Sequence, residues 1–252
     1  MTALQDIVSY TNSYLQIDQF ADYCPNGLQV EGQSEVGKLA TAVTASLAVI
    51  ERAIEWGAQC LLVHHGYFWK NEQAMIAGMK KQRIQKLLQA DLSLLAYHLP
   101  LDAHPVVGNN VKIAQILGIT QLEPLQKHSK MPIGNVGMLA QPVDIVEFVD
   151  YCEQQLDRNV IVVNSGPGQV QRIAFCTGGA QHLITDAVDC QADVYLTGEI
   201  SEQTTHIARE CGLHFIAAGH HATERYGVQA LAAHLADHFG LEHRFFDETN
   251  PA

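Results

Sequence analysis

Three short clusters carry the residue types that bind cations or move protons. Val63-His64-His65-Gly66 closes one apolar run, and Tyr97-His98-Leu99-Pro100-Leu101-Asp102 follows a second. Gly219-His220-His221-Ala222-Thr223-Glu224 follows a third. Taken singly, each has a plain reading: a surface histidine pair, an aspartate capping a turn before Pro105, and a helix start that favours Glu224 through the dipole. Taken together, three strand ends each deliver histidines and two deliver a carboxylate four residues on. Imidazole and carboxylate donors without cysteine suit zinc, manganese, iron or nickel. His64, His65, His98, Asp102, His220 and Glu224 outnumber the donors that one tetrahedral ion needs. The spacing therefore predicts two divalent ions sharing a carboxylate.

The elements that must position these groups follow from hydrophobic periodicity. Cys60-Leu61-Leu62-Val63, Leu92–Tyr97 and Leu213–Ala218 read as buried strands, as does Val194-Tyr195-Leu196. Neighbouring residues on a strand point to opposite faces, but where the chain turns, both imidazoles of His64-His65 can reach one crevice. A helix starting near His221 would set His220 and Glu224 one turn apart on one face. Pro100 argues against a regular helix between His98 and Asp102, so a loop is expected there. The Thr197-Gly198-Glu199 turn also ends a strand. It brings Glu199 and, in the following Ser201–His206 segment, His206 toward the same edge. His98, Glu199 and His206 are thus the residues expected to move protons. His234, His238 and His243 read as solvated.

Helical and strand patterns alternate, which points to an α/β fold with largely parallel sheets covered by helices. The pattern also recurs. At an offset of ~133, Leu39–Thr44 lies over Arg172–Thr177 and Cys60–Val63 over Asp193–Leu196. Asp6-Ile7-Val8 recurs as Asp144-Ile145-Val146, and His98 and Asp102 fall on His220 and Glu224. These matches are collinear and predict two similar, interleaved α/β halves from an internal duplication, residues 1–126 and 127–252, with the metal site between them. Helices are expected at about Leu4–Leu15 and Val143–Leu156, and one capped by Ser46. Gly118 and Gly240 suit helix C-termini, and Lys127–Gln141 reads as the seam between copies.

The chain has 252 residues and a net charge of −12. That balance disfavours nucleic acid and anionic membranes as partners, since both call for a positive surface. Lys80, Lys81, Arg83 and Lys86 form one basic helix face, which reads as solvated. No apolar run approaches the ~20 residues of a membrane span, and the first residues lack the pattern of a secretion signal. Six cysteines without a C-x-x-C pair suit a reducing compartment, so a cytoplasmic location is expected. Gly32–Lys38 fits G-x-x-x-x-G-K, but no Ser or Thr follows and Leu39–Val43 reads as a strand. A phosphate-cradling loop must open a helix, so this segment is expected to be a hairpin-like turn.

The chain resembles the Nif-three-like dinuclear-metal proteins, often named GTP cyclohydrolase I type 2 homologs, in the bacterial short form. The likeness runs nearly end to end. It rests on Pro25-Asn26-Gly27-Leu28-Gln29-Val30, Val63-His64-His65-Gly66, Leu99-Pro100-Leu101-Asp102, Thr197-Gly198-Glu199 and Gly219-His220-His221-Ala222-Thr223-Glu224. The resemblance implies a subunit of two similar halves with a metal pair between them, assembled as a toroidal homohexamer. It implies His64, His65, Asp102, His220 and Glu224 as ligands, with Glu224 bridging and His98 nearby. The activity implied is hydrolysis of a small nucleotide-like or cyclic amide substrate by a metal-bridging hydroxide, with purine C8 the target in a nucleotide. The alternative is a non-enzymatic metal-binding scaffold or store.

Overall fold

The computed structural model describes residues 1–252 as two compact units. The first comprises Met1–Leu101 and Gly227–Thr249, the second Asp102–Tyr226 and Asn250–Ala252. These units are discontinuous in sequence, whereas the two halves expected from the sequence divide the chain once, between residues 126 and 127.

The first unit opens with β1 (Thr2–Ala3), α1 (Leu4–Tyr14), β2 (Gly27–Val30), β3 (Glu35–Val36) and β4 (Lys38–Thr44). It continues through α2 (Leu47–Glu55), β5 (Cys60–His65), α3 (Gly78–Gln89) and β6 (Ser93–Ala96). The short α4 (Leu99–Ala103) holds the first unit boundary, and α5 (Asn109–Ile116), β7 (Thr120–Pro124) and β8 (Asn135–Asp144) follow. Then come α6 (Ile145–Leu156), β9 (Ile161–Val163), β10 (Gln169–Phe175), α7 (Ile184–Asp189), β11 (Val194–Thr197), α8 (Glu202–Cys211) and β12 (His214–Ala217). The long α9 (His220–Phe239) holds the second boundary, and β13 (Glu242–Phe245) ends the first unit's sheet.

That first sheet has the order β13-β4-β5-β6-β2, parallel except for β2. The second has the order β7-β8-β10-β11-β12-β9, with a parallel centre of β10, β11 and β12 and antiparallel flanks. Both sheets thus contain three consecutive parallel strands, β4-β5-β6 and β10-β11-β12, with an antiparallel strand beside the last, and β13 adds a fourth parallel strand to the first sheet. In chain order that antiparallel strand, β2 or β9, precedes the three. The matched offsets fall on two of these strand pairs, β4 with β10 and β5 with β11. The fold is α/β, with mixed sheets rather than purely parallel ones.

The central strands are apolar because helices cover both of their faces. In the first unit Leu61, Val63, Leu94 and Ala96 pack with Val49, Ile50 and Ala53 of α2 and with Ile84 and Leu87 of α3. In the second, Ile173, Val194, Leu196 and Ile216 pack with Phe148, Cys152 and Leu156 of α6, while Ala174, Tyr195 and Phe215 face Ile184 and Ala187 of α7. Ser46 caps α2 by accepting from the Val49 N–H, and Asp144 caps α6 by accepting from the Val146 N–H. Gly118 and Gly240 end α5 and α9 with φ of +68° and +66°.

Four local expectations need correction. Residues Leu99–Ala103 form a helix despite Pro100, which sits in the first turn, where its missing N–H has no intrahelical acceptor to serve. Gly32–Lys38 is not a hairpin turn, since β2 pairs with β6 and β3 pairs with β1. The expected seam at Lys127–Gln141 contains most of the ten-residue β8, which makes an antiparallel pair with β7. Flanking prolines and glycines hide the alternation in Asn135-Val136-Gly137-Met138-Leu139. His234 and His238 are not simply solvated: Tyr10 Oη lies 2.8 Å from His234 Nε2, and the His238 ring stacks on Tyr10 at 4.1 Å.

Candidate metal centre

In the first unit, His64 and His65 are the last residues of β5, and His98 lies just beyond β6. Because β5 and β6 are parallel neighbours, the three imidazoles leave the sheet at the same edge. Their ring centroids are 4.6 Å (His64–His65), 5.1 Å (His64–His98) and 5.8 Å (His65–His98) apart. One nitrogen from each comes within 4.8 Å of the others, close enough to share an ion.

The orientation of each ring is set by its other nitrogen. His64 is fully buried, and its Nδ1 lies 2.9 Å from the Tyr97 carbonyl. A carbonyl only accepts, so Nδ1 carries the proton and Nε2 keeps its lone pair, the tautomer a ligand needs. Tyr97 is itself anchored, donating its hydroxyl to Asn12 Oδ1 at 2.8 Å. His98 Nδ1 meets Asp22 Oδ1 at 2.7 Å. Asp22 also accepts from the Leu99 N–H and the Asn26 amide, and Asn26 in turn accepts from the His98 N–H. Burial alone would push the Asp22 carboxyl up, but hydrogen bonding and charge from His98, helped by Asn26 and the Tyr23 N–H, hold it below the usual value. Trp69 packs edge-on against His98 at 5.0 Å.

In the second unit, His220 and Glu224 occupy the first turns of α9, one turn apart as the spacing required. His220 Nε2 lies 3.2 Å from Glu224 Oε2, and His220 Nδ1 lies 2.7 Å from Glu199 Oε1. Burial lowers the basicity of His220, but hydrogen bonding and charge from Glu224, and then from Glu199, outweigh it and raise its pKa to about 9. An imidazole proton held between two carboxylates marks a place where positive charge is stabilised, and a divalent cation can take that place. Glu224 is 2% exposed.

Asp102 is also buried, and its Oδ1 accepts from Asn109 Nδ2 at 2.9 Å and from the Thr177 hydroxyl at 3.3 Å. Asn110 braces the same loop, donating to the Asp102 carbonyl and accepting from the Thr177 N–H. The loop after β10 has no room for a side chain at Gly178. A Cβ there would run into the Glu224 carboxylate, and φ is +71°. At Gly198 a Cβ would meet the His220 backbone at 2.6 Å.

The structure therefore joins His64, His65 and His98 in one unit, and His220, Glu224 and Glu199 in the other. His206 lies exposed in the second turn of α8 and touches neither Glu199 nor His220. Sequence reasoning missed Asp22, Asn109, Asn110 and Thr177, which hold His98 and Asp102. Asp22 precedes the Pro25-Asn26-Gly27 segment and Asn26 lies within it, a weak signal for side chains that cap loop N–H groups. The donors are imidazoles and carboxylates, and His64, His98, His220 and Asp102 each have one atom held by a partner, so the residues present fit divalent metal ions.

No helix is long and apolar enough to cross a membrane. Residues 2–251 match the family model described as Duf34/NIF3 (NGG1p interacting factor 3). A relative from Pseudomonas aeruginosa named GTP cyclohydrolase 1 type 2 homolog is 50% identical over 250 residues, covering 99% of each chain. A solved structure titled protein ybgI, of unknown function, is similar at 45% identity with a TM-score of 0.95 over 100% of both chains. A Thermus thermophilus protein is similar at 36% identity with a TM-score of 0.90, again over 100% of both chains.

Proposed function

The chain belongs to the Duf34/NIF3 family, and from that premise we propose that it is a metal-dependent hydrolase acting on a small nucleotide-like or cyclic amide substrate. In this reading His64, His65, Asp102, His220 and Glu224 would hold two divalent cations. The observation that carries the reading is the committed Nδ1 of the two buried or half-buried ligands. His64 gives that atom to the Tyr97 carbonyl and His220 gives it to Glu199, which fixes the orientation of both rings as the partners of metal-binding imidazoles do.

When bound, the cations supply a water that ionises near neutral pH and positive charge for a developing oxyanion. The chain's own residues do the rest. His98, fixed by Asp22, keeps Nε2 to take up and return a proton. Glu199 is a partly exposed carboxylate that touches His220 and can pass a proton to solvent. His206 belongs to the proposal as a third proton carrier and would have to act from the α8 surface. The Asn109 and Thr177 bonds at Oδ1 hold the Asp102 carboxylate in one rotamer. A cytoplasmic, toroidal homohexamer completes the reading.

The test is turnover of GTP and a panel of cyclic amides by protein loaded in turn with zinc, manganese, iron and nickel. Ring opening that disappears with chelator and in Glu224→Ala is the expected result. Turnover that survives both overturns the proposal, and metal retained without any turnover favours a scaffold or store.

A further inference from the structure

Away from the histidines, the first unit has a pocket of about 530 Å³ built from the end of α2 and from β13 and the residue after it. Trp56 precedes the start of β5, whereas His64 and His65 end it, so ~16 Å of strand separates the two places. In a chain with only 15 Lys and Arg against 27 Asp and Glu, three cations gather here on one aromatic pair. Trp56 and Phe246 meet edge to face at 6.0 Å. Arg52 lies over the Phe246 ring at 5.1 Å, and Arg244 lies 5.8 Å from both rings. Lys38 stands over Trp56 at 5.0 Å.

The stacking has a chemical consequence. A guanidinium laid against an aromatic face keeps its N–H edge free for an in-plane, bidentate acceptor. Arg52 spends one N–H on the Asp247 carbonyl. Arg244 makes no ion pair and no side-chain hydrogen bond. Glu55 lines the same pocket without pairing to either arginine. A bare anion would meet repulsion from Glu55, while a ligand that adds an N–H donor would satisfy it. The volume is that of a small-molecule site.

We propose that this pocket binds a nucleoside monophosphate, with the phosphate on Arg52 and Arg244, the base against the Trp56 edge, and a base N–H donated to Glu55. The site is separate from the metal centre and does not depend on the hydrolase reading.

The experiment uses the full chain in excess chelator, so that phosphate chelation by a bound metal is not read. Guanosine and adenosine monophosphate, ribose 5-phosphate, free guanosine and inorganic phosphate are titrated by calorimetry and by tryptophan fluorescence. Expected is one nucleotide per chain with a fluorescence change that is lost in Trp56→Phe. Arg244→Gln should weaken binding at least about tenfold, the loss of a charge-assisted hydrogen bond. Glu55→Gln should weaken the nucleotide and strengthen inorganic phosphate. The melting curves of Arg244→Gln and Glu55→Gln should match the wild type, because these two side chains lie at the surface. Absence of nucleotide binding, or equal affinity in Arg244→Gln, overturns the proposal. So does inorganic phosphate binding as tightly as the nucleotide.

Discussion

Replacing Glu199 with Gln separates two roles that one hydrogen bond gives this carboxylate. Glu199 orients His220 through the 2.7 Å contact at Nδ1, and its charge helps raise the His220 pKa to about 9. At pH 7 a proton on His220 competes with the cation, and a pKa two units higher lowers the apparent affinity about 100-fold. In Glu199→Gln the amide oxygen still accepts from Nδ1, but the charge is gone and the His220 pKa should fall by about one unit. Competition at pH 7 then eases about tenfold. Against this stands weaker positioning, because a neutral amide oxygen holds Nδ1 less firmly than a carboxylate does. Partners of this kind contribute ~10–100-fold to metal affinity, and the 43% exposed Glu199 belongs at the lower end. The two effects nearly cancel at pH 7. At pH 9, where little competition remains, the variant should bind about fivefold more weakly than wild type. The assay is competition with a chromophoric chelator at half-unit steps from pH 7 to 9. A deficit that is constant across that range, or larger at pH 7, would refute the reasoning.

The linkage also sets a stability prediction for the metal-free protein. His220 has a folded pKa above its unfolded value of 6.5, so its contribution is fully present below pH 6.5 and fades as pH rises through about 9. Denaturation midpoints should decline over that window in wild type and decline less in Glu199→Gln. Asn109→Ala should destabilise the protein by about 2 kcal/mol in urea, because it strips a buried hydrogen bond from the Asp102 carboxylate. Equal stability would mean that water replaces the amide. Gly178→Ala should fold less stably and lose metal, since its Cβ displaces the Glu224 carboxylate at a positive φ; unchanged metal content would contradict the close approach. Burial pushes the thiols of Cys24, Cys60 and Cys152 up to about 12, and Cys211 alone is exposed. A chromogenic disulfide should therefore titrate one thiol in the native protein and six after denaturation.

The parts of the fold that were legible in the sequence are those governed by local periodicity. The apolar runs around Leu61, Leu94, Tyr195 and Phe215 are strands, and Ser46 is a cap. His220 and Glu224 meet because four residues make one helical turn. Their partners were not legible. Asp22 reaches His98 across 76 residues and Asn12 reaches Tyr97 across 85, and no local pattern encodes such pairs. Pro100 misled because its effect depends on its place in the helix, which one residue shifts from neutral to disruptive. The discontinuous units were hidden because β13 lies at the far end of the chain from β4 yet pairs with it in the first unit's sheet. Pairing partners of a parallel edge strand leave no mark on its own composition.

The central claim is that the histidine and carboxylate clusters exist to hold metal. Elemental analysis of untagged protein purified without chelator, wild type beside Glu224→Ala, tests it most directly. The account predicts about two divalent ions per chain, falling in the variant while the fold is kept. No bound metal after reconstitution with zinc, manganese, iron or nickel would contradict it and leave the clusters with a structural role.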